Sequence, residues 1–254
     1  GSNVTLDTNA SSTTGDLTLG VVTGGSNNLT LSTGNNVANS DITASGNISG
    51  ATTLTLADVG GTATLSGDVD VTTLTVGNTV ANVALNGNGS SVTNAVSFAN
   101  DGTLQLGNAS DDTLTFNGGL TTTSVGGTVT LNGTIATSND VIVLGAVTLG
   151  SATTIDTNAT NTDGDITIGA VTGDNNNLTL DTTATSGSAS HTFNGDINLG
   201  SGALSVTGDV VLGANVTVTA TGSITINDKI DADDATNNDR TLTLDAGTGS
   251  SINL

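Results

Sequence analysis

The chain has no cysteine, proline, methionine, tryptophan or tyrosine, and its phenylalanines are Phe98, Phe116 and Phe193 alone. Without cysteine no disulfide can staple the fold, and thiol chemistry gives no clue to compartment. Cations are nearly absent too: Lys229 and Arg240 stand against 23 acidic residues, for a formal charge of −21. Such a surface cannot displace counterions from a phosphate backbone, which excludes nucleic-acid binding of the usual kind and disfavours anionic membranes. No apolar run approaches the roughly 18 residues of a membrane span, and no secretory leader is recognisable. Methionine is missing even at position 1, so the chain reads as a processed product or as an internal segment of something longer.

The helix formers are depleted as well. Every acidic residue is Asp, none is Glu, and Gln105 is the single glutamine. Thr and Val, which favour strands, take their place, while Asn, Asp and Gly supply positions that tolerate positive φ. All-β structure is therefore expected throughout.

What the chain does contain, it contains twice. Residues 4–31 read VTLDTNASSTTGDLTLGVVTGGSNNLTL and residues 153–180 read TTIDTNATNTDGDITIGAVTGDNNNLTL, identical at 18 of 28 positions at an offset of 149. Short triplets, aliphatic then small polar then aliphatic, recur along the whole length, as Leu17-Thr18-Leu19, Leu54-Thr55-Leu56, Val129-Thr130-Leu131 and Ile224-Thr225-Ile226 do. Strand geometry sends the aliphatics inward and the Thr outward. Many very short strands, a monotonous Thr exterior and a duplicated block favour a parallel β-solenoid over an antiparallel sandwich. With about 20–25 residues per rung the chain holds roughly ten to twelve rungs. No linker is visible, so residues 1–254 are expected to be one solenoid domain, with a repeat over 1–149 and a partial second copy over 150–254.

The phrases Gly164-Asp165-Ile166-Thr167-Ile168-Gly169, Gly195-Asp196-Ile197-Asn198-Leu199-Gly200 and Gly222-Ser223-Ile224-Thr225-Ile226 resemble the repeats of giant bacterial β-helical surface and secreted proteins, of the filamentous-haemagglutinin and autotransporter-adhesin type. The resemblance implies a right-handed parallel β-helix, export to the cell surface, and a part in adhesion or in extracellular fibres. Other copies of the repeat and host or matrix glycans or proteins are the partners it implies.

Candidate chemistry is sparse. Acidic-polysaccharide cleavage wants clustered Asp beside a cation, and the adjacent pairs are Asp111-Asp112 and Asp233-Asp234, of which only the second lies near Lys229 and Arg240. Turn and loop solvation accounts for both pairs more simply. His191 is the only histidine, so no Ser/His/Asp set is expected, and the chain reads as a non-enzyme. Carboxylate oxygens suit calcium. The weak candidates are Asp231, Asp233, Asp234 and Asp239, with a second loop at Asp163, Asp165 and Asp174; no other cofactor is expected. Thr-x-Thr pairs at Thr53/Thr55, Thr73/Thr75, Thr113/Thr115, Thr128/Thr130 and Thr217/Thr219 raise the idea of a flat ice-binding array, which irregular rung lengths argue against. The leading expectation is a non-catalytic extracellular stalk or passenger segment. A fibre subunit stacking end to end is the alternative, ahead of an enzyme or an ice binder.

Overall fold

Alternation within the aliphatic triplets sets the architecture, because each strand can bury only one face. The computed structural model describes residues 1–9, 11–35, 37–157, 164–182, 189–232 and 240–254. Those residues are all-β with no helix, and every strand pairing among them is parallel. The fold is a parallel β-solenoid.

Following the register from strand to strand resolves three faces per turn. On the first, Val4 stacks on Leu29, Leu54 and Leu74, and the column continues through Val96, Leu120, Ile142, Ile166, His191, Val210 and Ile230, ten steps in all. The second face runs from Leu17 through Ile42, Ala63, Val83, Leu104, Val129, Val147, Val171, Ile197 and Val218 to Leu244. The third runs from Val22 through Ile48, Val69, Ser90, Leu114, Ile135, Ile155, Leu180 and Val206 to Ile226. At about 4.8 Å per level, ten turns make a rod about 50 Å long.

The step between levels is 25 residues from Val4 to Leu29, 20 from Leu54 to Leu74 and 19 from His191 to Val210. The faces stay in register despite this, since the surplus residues go into corners. Some strands bend through a corner without ending: Ile48–Leu65 passes from the third face across the first to the second. The interior is aliphatic, with Leu31, Ile42, Leu131, Ile155 and Ile168 wholly buried, and all three phenylalanines lie inside it.

One expectation needs correction. Thr is not uniformly outward: Thr33, Thr122, Thr137, Thr153, Thr157 and Thr182 are buried. Several sit where a strand turns into a corner and donate the hydroxyl to a carbonyl across it. Thr33 bonds to the Ser40 carbonyl at 3.0 Å, Thr137 to Asp140 at 2.6 Å and Thr157 to Gly164 at 2.6 Å. Thr8 bonds in the same way to the Gly15 carbonyl, the equivalent of the Thr157–Gly164 pair in the earlier copy. A buried corner carbonyl needs a donor, and a β-branched hydroxyl supplies one without leaving the strand.

The duplication does not coincide with the turn. Leu17 lies on the second face and its counterpart Ile166 on the first; Val22 lies on the third and Val171 on the second; Leu29 lies on the first while Leu178 belongs to a third-face strand. The 149-residue offset thus spans six turns plus two further faces, and the two copies occupy different faces. What is kept between them is the strand–corner–strand unit, not a whole rung.

Candidate functional site

The abundance of Asp and Asn, which suggested turns or a cation site, has a specific structural use. An Asp or Asn placed directly before the first inward aliphatic of a strand reaches one turn onward and accepts a backbone N–H there. Asp16 Oδ1 takes the N–H of Asp41 at 3.0 Å, and Asp41 in turn takes that of Thr62 at 2.7 Å. Asn47 takes Asp68, Asp68 takes Gly89, and Asn82 takes Thr103, at 3.1, 2.8 and 2.9 Å. Asp165 caps Ser190 at 2.9 Å, Asn177 caps Ala203 at 2.9 Å, Asp196 caps Thr217 at 2.7 Å and Asn215 caps Thr241 at 3.0 Å. The side chain has to span one rung spacing of about 4.8 Å. Glu would add a methylene and a rotor to be frozen, so Asp rather than Glu suits these capping positions. The signal was present in the sequence as the recurrence of Asp or Asn directly before Ile, Leu or Val at these strands.

This use is open to test. Asp196→Asn preserves the acceptor and is expected to leave the urea midpoint within about 0.5 kcal/mol of wild type. Asp196→Ala should cost about 1 kcal/mol, the net worth of one such hydrogen bond, and Asp196→Glu should behave more like Ala than like Asn.

The sequence-derived site residues fall as follows. Asp112 is buried and its Oδ2 accepts the N–H groups of Asn108 and Ala109 at 2.6 and 2.9 Å, which caps its own turn, while Asp111 beside it is exposed. No dyad forms there. Of the four calcium candidates, Asp231 is paired with Lys229 at 2.7 Å on the surface; Asp233, Asp234 and Asp239 lie outside the described residues. In the second loop Asp165 is taken up by Ser190, Asp174 occupies a left-handed turn position (φ 48°), and Asp163 lies outside the described residues. Among the described residues no group of three His or acidic side chains is placed to hold a metal ion.

The Thr-x-Thr pairs are dispersed. Thr53/Thr55 and Thr73/Thr75 stack directly on the first face, whereas Thr113/Thr115 lies on the third and Thr128/Thr130 and Thr217/Thr219 on the second. The third face carries a longer file of hydroxyls, Thr113, Thr134, Thr154, Thr179, Ser205 and Thr225. Its neighbouring outward column holds Asp156 and Asp181 at successive levels, so the file is a single row bordered by carboxylates. Surface depressions are shallow and lie along the faces and corners; the one lined by Ser26, Gly50, Ala51, Thr52, Asp70, Val71, Thr72, Ser91 and Thr93 has a volume near 360 Å³. Asp70 there has its carboxyl pushed above the usual range, by partial burial first and by the charge of Asp68 second. No described helix is long and apolar enough to cross a membrane. Comparison of the chain with family models, with curated proteins and with solved structures gives no match.

Proposed function

We propose that this chain is a non-catalytic structural and adhesive segment of an extracellular bacterial surface protein, a rigid stalk or passenger that carries loops at its corners. The observation that supports this most is the employment of its polar side chains. Asp16, Asp41, Asp68, Asp112, Asp165 and Asp196 accept backbone N–H groups, and the buried Thr33, Thr137 and Thr157 donate to corner carbonyls. These side chains are employed in holding rungs together, which is the use expected of a scaffold. The duplication points the same way, because the strand–corner–strand unit recurs while the face it occupies does not.

The test applies labelled full-length protein to arrays of neutral glycans and matrix proteins, with a parallel screen for release of sugar from polysaccharides. Saturable retention on some array members, unchanged in 1 mM EDTA and without product release, is the expected result. Turnover of any polysaccharide would overturn the non-catalytic reading, and absence of retention everywhere would remove the adhesive part and leave a spacer. Sedimentation velocity addresses the fibre alternative: a concentration-independent species of 24.5 kDa excludes end-to-end stacking of isolated chains.

A further inference from the structure

His191 is the chain's only histidine and is wholly buried in the first-face column, stacked between Ile166 and Val210. Its Nε2 lies 3.0 Å from the Thr207 carbonyl oxygen and 3.2 Å from Thr182 Oγ1. A carbonyl can only accept, so Nε2 carries the proton and Nδ1 is left as a bare lone pair. Among the described residues no partner meets Nδ1. The Thr207 carbonyl also receives the Thr182 N–H at 3.0 Å, so one oxygen and one ring nitrogen tie the end of the eighth turn's third face to the ninth turn. Gly208 closes the corner at φ +119°; a Cβ there would overlap the Thr182 hydroxyl and stand 3.1 Å from Nε2.

We propose that His191 is an acid-released latch: protonation of its ring loosens the packing of Thr182 and Thr207 around it, between the eighth and ninth turns. Adding a proton at Nδ1 creates a buried cation and a donor with no acceptor, and both are costly in an apolar core. The hydrogen bond to the Thr207 carbonyl opposes that cost first, and three carboxylates add to it: Asp181 on the third face, Asp165 on the preceding first-face level and Asp209 on the following one. Burial outweighs them, and the ring's proton affinity is held below the ordinary value of 6.5. The sign follows. The unfolded chain binds the proton more readily, so the stability tied to neutral His191 is complete above about pH 6.5 and is lost as pH falls below it.

The earlier copy supplies a control. At the same repeat position it has Ile42, wholly buried in its column, and there Thr33 donates to the Ser40 carbonyl with no imidazole involved. His191→Ile therefore installs what the fold already accepts elsewhere.

The experiment uses the full chain. Because there is one histidine, a single set of imidazole resonances reports it. A titration midpoint below 6.5 and the Nε2–H tautomer at pH 8 are expected. Amide protection at Thr182, His191 and Val210, corrected for intrinsic exchange, should fall by up to about tenfold per pH unit between pH 6.5 and 5, the limit for one proton. In His191→Ile that fall should vanish. A midpoint at or above 6.5, or an unchanged acid response in His191→Ile, would overturn the latch. The titration of the wild-type chain decides the matter alone if the variant does not fold.

Discussion

Gly133→Ala is expected to lower stability by about 3 kcal/mol or more, while Gly77→Ala changes it by no more than about 0.5 kcal/mol. Gly133 turns the sixth turn from its second face to its third, where the register shifts after Leu131. Its φ is +68°, and a Cβ would overlap the carbonyl oxygen of Asp112. The left-handed conformation alone costs an L-residue about 1–2 kcal/mol. Relieving the overlap also displaces a carbonyl that accepts the Thr134 N–H at 2.8 Å, worth about 1 kcal/mol more. The corner cannot swing away, because buried Asn132 beside it donates to the Gly107 carbonyl at 3.0 Å. Gly77 has no positive φ, and nothing lies within 4 Å of a Cβ built there. Urea unfolding of the two variants, with amide exchange in turns five to seven, checks the contrast; equal midpoints would show that corner crowding does not limit the fold.

Phe116→Ala should be as damaging, at about 3–5 kcal/mol, and should also change the form of the unfolding transition. Phe98 and Phe116 belong to the first and third faces of the same turn and meet edge to face inside it, with ring centroids 6.2 Å apart and planes at 88°. Their stacking partners are smaller, Val76 below Phe98 and Val92 below Phe116. The rings thus fill one rung where the columns offer little volume. Truncating Phe116 opens a cavity and removes the ring pair, worth about 0.5–1.5 kcal/mol by itself. In a solenoid each level is supported only by its neighbours. A lesion in the fifth of ten turns is therefore expected to split one transition into two by circular dichroism and exchange, whereas Leu244→Ala near the last level should shift only the end. A single sharp transition for Phe116→Ala would mean that coupling extends beyond adjacent rungs.

The strands were readable because the signal is local: Leu17-Thr18-Leu19 and Ile166-Thr167-Ile168 need only alternation to be placed. The parallel coil followed from shortness and repetition. The inward Thr residues did not follow, since Thr157 and the outward Thr154 look alike in sequence. What separates them is a carbonyl across a corner, and the Thr157 partner lies seven residues away. Asp165 and Asp196 were legible as turn formers but not as rung-to-rung caps, because their partners are 25 and 21 residues downstream. His191 lies in a Ser-His-Thr-Phe strand whose alternation does not tell which side faces the core until Phe193 is seen to be buried. The face each copy occupies depends on the summed lengths of many corners, which no single residue announces.

The displaced duplication can be considered as a shift of frame. The chain is written in face-long words, three to the line, and the second copy begins one word out of step without loss of sense. This is possible because every face asks for an inward aliphatic pair, and the Asx that caps it serves on more than one face, as Asp16-Leu17 on the second and Asp165-Ile166 on the first illustrate. Insertions or deletions that remove one strand and one corner should accordingly be tolerated where a whole-turn change would otherwise seem necessary. A third unit of the same length would fall on the remaining face and a fourth would return to the first, so loops carried at one place in the text would come to point in three directions around the rod.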